Sequence, residues 1–250
     1  MPVLGLDTSN YTTSAAVFDG EGGRNQGRLL EVRPGELGLR QSDALFQHVK
    51  HLPEVVEALL GEGGLGTVQA VGASTRPRAV EGSYMPCFLA GASQGQVLSQ
   101  VLGVPFYTFS HQQGHLAAAA WSAGRLDLLD RPFLAWHLSG GTTELLRVEP
   151  EEDGVAVRAE ILGGTSDVLL GLPFTAGKGV EKLSRQAQKR EYYKVKVNGL
   201  TFSLSGMENK VRQMVKRGEE PAEIAWFAQE TVCRVVQACT KAAMEAYPGL

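Results

Sequence analysis

A two-lobed α/β fold is what the sequence predicts, on three observations. A strand–turn–strand unit opens the chain and is followed by alternating strand-like and helix-like stretches. The same opening recurs roughly 130 residues later, so the pattern is used twice. In both copies a short polar turn joins the first two strands: "LDTSNYTTSAAVFD" in the first, "LSGGTTELLRVE" in the second. Residues 1–130 are expected to form the first lobe and 131–250 the second, with a basic insertion at 178–217. Two such lobes offering their turns to each other make a cleft suited to a nucleotide, since a glycine backbone can approach phosphate closely.

In chain order, "VLGLDTSNYTTSAAVFDG" reads as strand, polar turn, strand, and "RLLEVR", 28–33, as a third strand. "RQSDALFQHVKHLPEVVEALLGEGG" reads as a helix with apolar residues at 45, 46, 49, 52, 55, 56 and 59, and Gly61 as its stop. "VQAVGAST" is a short buried strand, followed by a helix around 86–102 and the strand "VPFYTF". A helix beginning "SHQQGHL" comes next, with Ser110 as N-cap. The second copy has strands over 133–150 and in "VAVRAEILGG", then the basic segment, then a long helix near 222–246.

Composition narrows the class. The three cysteines, Cys87, Cys233 and Cys239, have no CxxC spacing, which argues against a disulfide framework or thiolate zinc and for a reducing, cytoplasmic setting. Met1 leads directly into a strand-like stretch, so no signal peptide is expected. The apolar run "AGASQGQVLSQVLGVPF" is too short and polar to span a membrane, so no membrane partner is expected. The net charge of −3 conceals an asymmetry, because residues 178–217 carry eleven Lys and Arg against three Glu. Tyr192 and Tyr193 lie inside that run. Positive charge beside aromatic rings suits an RNA loop or single strand, and also an ordinary solvated face.

His111 and His115 are four apart at a helix start and so share one face, within reach of a common metal ion. A zinc protease is excluded, since its motif places a general-base Glu where Gln112 stands. From spacing alone the pair is either two metal ligands or two polar residues at a helix start. A complete site would also need a third ligand and an open position.

Taken in order, "LGLDTSNYTTS", "SHQQGHL", "HLSGGTTEL", "ILGGTSD", "LGLPFTAG", "FSLSG" and "EIAWFAQETV" resemble the glycoprotease-like family of tRNA threonylcarbamoyladenosine synthases, from end to end of the chain. The resemblance implies the two-lobed actin/hexokinase/Hsp70-like (ASKHA) ATPase fold. It implies an acyltransferase that passes threonylcarbamoyl from its adenylate, derived from ATP, to N6 of the adenosine next to the anticodon in tRNAs reading ANN codons. Carried over by position, His111 and His115 would hold one divalent metal, iron or zinc. His137, Leu138, Ser139, Gly140, Gly141 and Gly177 would bind the adenylate, with Asp7, Thr8 and Ser9 as further candidates. The resemblance also implies partner proteins of the same pathway, and the basic run supports tRNA as a partner, with Lys189, Arg190, Lys194 and Lys196 as candidate contacts. No general base is evident, which fits a mechanism dominated by positioning.

Four departures accompany the match. A family segment with a ribose-contacting Asp is missing between Asp167 and Val168. The second-lobe Asn turn and the third metal ligand would fall beyond Leu250, so the second lobe is expected to be incomplete. "STRPRAVEGSY" replaces a Gly-Pro-Gly turn, leaving Arg76 and Arg78 as anion ligands or plain surface charge. Thr142 stands where the adenylate turn has His. The alternative reading is a catalytically inactive paralogue that serves as a scaffold in the same pathway. An actin-like sugar or acid kinase is disfavoured, because no Asp stands as its catalytic base.

Overall fold

The computed structural model describes residues 2–9, 11–32, 38–61, 68–139, 142–152, 156–165 and 176–250. The chain forms two compact units, Met1–Asp127 with Asp153–Arg158, and Leu128–Glu152 with Ala159–Leu250.

In the first unit β1 (Val3–Asp7), β2 (Thr12–Phe18) and β3 (Gly23–Leu29) form an antiparallel meander. β4 (Ala70–Arg76) adds parallel to β1, and β5 (Phe106–Ser110) parallel to β4, giving the order β3-β2-β1-β4-β5. The third strand thus lies earlier than the expected 28–33. The cause is the tight turn after β2, where Asp19 Oδ1 accepts the N–H groups of Glu21 and Gly22 and returns the chain at once. Phe18 then pairs with Gly23 and Thr12 with Leu29, which fixes the register.

Helix α1 (Gln41–Leu60) covers β2 and β3, and α2 (Leu89–Leu102) covers β4 and β1. Leu4 and Leu6 of β1, Val71 of β4 and Leu52, Val55 and Leu59 of α1 make the core. Burying each such side chain contributes roughly 1.5–3 kcal/mol. The buried stripe of α1 differs from the apolar count. It runs through Ala44, His48, His51, Leu52, Val55 and Leu59, whereas Phe46 and Val49 are 65% and 54% exposed. Buried Thr13 on β2 explains the rotation, because its hydroxyl needs a partner and finds His48 Nδ1 at 2.8 Å.

The second unit carries β6 (Phe133–Ser139), β7 (Thr142–Pro150) and β8 (Val157–Thr165) from Ala159 onward, in the order β6-β7-β8, with β6 and β7 antiparallel. Among the described residues this sheet has three strands where the first has five. Helices α4 (Ala176–Ser184), α5 (Ser205–Lys216) and α6 (Pro221–Ala246) follow, and Met207 and Val211 of α5, Phe227 and Val235 of α6, and Phe202 and Leu204 before α5 form one core. Among the described residues no helix is long and apolar enough to cross a membrane.

Candidate functional site

Three parallel strands, β1, β4 and β5, end on one edge of the first sheet, the edge where α/β proteins gather ligand-binding groups. Asp7 closes β1, Arg76 closes β4, and α3 (His111–Ser122) starts directly after β5. A capping box fixes that start: Gln113 N–H donates to Ser110 Oγ at 3.2 Å, and Ser110 N–H donates to Gln113 Oε1 at 2.7 Å. The Gln113 amide also donates to the Val157 carbonyl at 2.7 Å, and Gln112 N–H donates to the Pro77 carbonyl at 3.1 Å. The helix therefore begins at a fixed angle, and both histidines lie on its first turns.

The Nε2 atoms of His111 and His115 face each other at 2.8 Å. His111 Nδ1 lies 2.9 Å from Asp7 Oδ2, a contact across 104 positions of sequence. Asp7 Oδ1 accepts the Ser9 N–H at 2.8 Å. Burial by itself would raise the Asp7 pKa; the hydrogen bond and charge of His111, with bonds from Ser74 and Ser9, outweigh it and hold the carboxyl well below its usual range. An ionised carboxylate only accepts, so the proton between Asp7 and His111 sits on Nδ1.

The donor chemistry fits a divalent ion. Two imidazole nitrogens converge on one point at a solvent-accessible helix start, and nitrogen donors suit zinc or iron. Nitrogens bound to one tetrahedral ion at about 2.0–2.1 Å stand roughly 3.3 Å apart. The rings need separate by only about half an ångström to admit it. Among the described residues no group of three or more His, Cys, Asp and Glu could hold a metal, so the pair is a two-donor set there.

Thr8 is fully buried, and its hydroxyl donates to the Cys87 carbonyl at 2.9 Å while accepting the Gly91 N–H at 3.0 Å. It pins the start of α2 to the end of β1. Arg76 is exposed and paired in register with Ser110, which places it beside the start of α3. Arg78 N–H donates to Ser83 Oγ.

In the second unit His137 of β6 pairs with Glu144 of β7, with Nδ1 3.6 Å from Oε2, and the Glu144 side chain is 4% exposed. Leu138 is exposed and Ser139 ends β6. Gly140, Gly141, Asp167 and Val168 lie outside the described residues, and Gly177 is the second residue of α4.

The basic run is stapled along α6. Glu223 accepts the backbone N–H groups of Gln188 and Lys189, and Thr231 accepts that of Tyr193. Arg190 stacks 3.9 Å over Trp226, and Arg234 stacks 4.0 Å over Tyr192, so one face of that tyrosine is already covered. Lys189, Arg190, Lys194 and Lys196 are all exposed.

Apolar counting and motif matching missed two features, the Asp7–His111 contact and the His137–Glu144 pair. Each has a signal in the sequence. Asp7 ends one strand readable as parallel and His111 directly follows the end of another, and Glu144 is the residue opposite His137 in the antiparallel register of β6 and β7.

The meander with two parallel strands added, led by a polar turn and repeated in part, defines a protein of the ASKHA class. HypF in its phosphate- and nucleotide-bound form has this fold, with a TM-score of 0.54 at 9% identity over 98% of this chain and 39% of that one. So does HypF of T. kodakarensis, at 0.51 and 12% over 98% and 40%. The family model for TsaD, tRNA N6-adenosine threonylcarbamoyltransferase, matches residues 37–249, and the chain belongs to that family. The tRNA N6-adenosine threonylcarbamoyltransferase of Rhodospirillum rubrum is 32% identical over 86% of this chain and 62% of its own length. That of Thermus thermophilus is 33% identical over 98% and 77%.

Proposed function

We propose that the chain transfers a threonylcarbamoyl group from its adenylate to N6 of the adenosine beside the anticodon of tRNAs, in the cytoplasm and with partner proteins of that pathway. The observation that carries this reading is the convergence of His111 and His115 at the sheet edge of a chain from this family. A divalent metal held by the two Nε2 atoms would supply Lewis-acid polarisation of the carbamoyl or phosphate oxygens. The chain's own residues do the rest by positioning. Backbone N–H groups of the turn His137-Leu138-Ser139-Gly140-Gly141, with Gly177, hold the adenylate phosphate. Arg76, paired in register with Ser110 at the start of α3, offers a positive charge to an anion at that sheet edge. Lys189, Arg190, Lys194 and Lys196 hold the tRNA backbone. N6 then attacks the carbamoyl carbon, the bond from that carbon to the phosphate oxygen breaks, AMP leaves, and the proton lost from N6 passes to solvent.

The test is single-turnover transfer of labelled threonylcarbamoyl from synthetic adenylate to an unmodified ANN-reading tRNA. Label on N6 supports the reading. Bound tRNA without transfer, with partners and metal supplied, leaves the scaffold reading, which is favoured by the absence of a three-ligand cluster among the described residues.

A further inference from the structure

We infer that Asp7 is a positioning residue for the metal site, acting through His111. The inference rests on the metal reading of the histidine pair and assigns to Asp7 a task other than nucleotide contact or direct ligation.

The geometry decides between those tasks. Asp7 meets His111 on Nδ1, the ring nitrogen opposite the one that faces His115. A carboxylate on the far nitrogen cannot share an ion with the near one, so Asp7 does not stand in for a third ligand. What it does is choose the tautomer. With the proton drawn to Nδ1, Nε2 keeps its lone pair directed at His115, the arrangement a ligating histidine needs. His115 Nε2 then donates to His111 Nε2, a hydrogen bond whose proton occupies the place an ion would take.

The carboxylate is itself held. Oδ1 accepts the Ser9 N–H at 2.8 Å. Asp7 ends a strand paired on both sides, antiparallel to β2 and parallel to β4, and Thr8 beside it is pinned to the start of α2. His111 is fixed from its other end by the capping box of α3. Two rigid elements thus fix both ends of one hydrogen bond, so the ring orientation is set before any ion arrives. An exposed histidine pair on a helix start has no such constraint by default, since either ring could rotate or take the other tautomer.

The test uses the full chain and zinc alone, with three variants. Zinc affinity is measured by competition with a chromophoric chelator, and the His111 tautomer by long-range proton–nitrogen correlation of the metal-free protein. Wild type is expected to bind zinc and to show Nδ1 protonated. Asp7→Asn, whose amide can donate as well as accept, is expected to bind zinc 10–100-fold more weakly, with the proton moved toward Nε2. Ser74→Ala, which leaves the His111 contact in place, is expected to change affinity less than threefold and to keep the wild-type tautomer. His111→Ala is expected to lose the site. Equal zinc affinity in wild type and Asp7→Asn overturns the positioning role while leaving the metal reading intact. Zinc affinity that is no higher in wild type than in His111→Ala overturns the metal reading, and this inference with it. A weaker but tautomer-unchanged Asp7→Asn also overturns it, since the loss is then structural.

Discussion

His48 makes the stability of the first unit depend on pH in a way that can be worked out. The ring is fully buried on α1, its Nδ1 is bonded to Thr13, and among the described residues its Nε2 has no partner. Burial is the main reason its pKa is pushed down from 6.5 to about 4; nearby Asp7 opposes the shift and His51 adds to it. The unfolded chain therefore binds the proton first. Stability is fully present above pH ~6.5 and falls as the pH drops toward ~4, because protons favour the unfolded state throughout that window. Integrated from pH ~7.5 to pH ~5, this one group costs about 2 kcal/mol, and about 3 kcal/mol by pH ~4. Urea unfolding at several pH values, in wild type and in His48→Gln, isolates it, since Gln can still bond Thr13 and does not titrate. The wild-type curve should fall about 2 kcal/mol further than the variant's between those first two pH values. Parallel curves would refute the claim that a neutral buried His48 is part of the fold.

Other outcomes follow from the same geometry. Thr8→Val leaves the Cys87 carbonyl and Gly91 N–H without the hydroxyl between them, and should cost about 1–3 kcal/mol by urea unfolding. Gly91→Ala places a methyl 3.1 Å from Thr8 Oγ1 and 3.3 Å from its Cγ2; both neighbours are fixed, so a loss of about 1–3 kcal/mol is expected. Changing Lys189, Arg190, Lys194 and Lys196 together to Glu should abolish tRNA binding measured by filter retention. The wild-type affinity should fall steeply with salt. Binding that survives the four changes would place the tRNA elsewhere.

The cap of α3 was readable because Ser110 and Gln113 are a local signal, complete within four residues. The ASKHA class was readable because the hairpin-led pattern appears twice and the motifs fall in order. β3 was not, since "GRNQGRL" is exposed along its whole length and shows no alternation; only its pairing with β2 makes it a strand. The buried face of α1 was misplaced toward Phe46 and Val49 because apolar counting gives a buried histidine no weight. His48 faces inward to satisfy Thr13, and Lys50 lies over the exposed Phe46 ring. The Asp7–His111 contact was hidden for a different reason. Its partners are neighbours only once β1, β4 and β5 lie parallel, a tertiary fact that no local window contains.

The most direct test of the account is the metal content of the purified full chain, by elemental analysis, beside a His111→Ala/His115→Ala double variant of unchanged secondary structure. The account predicts near-stoichiometric iron or zinc in the wild type and its loss in the variant. No metal in either protein after loading, or equal metal in both, would contradict a metal-centred transferase site at the two histidines.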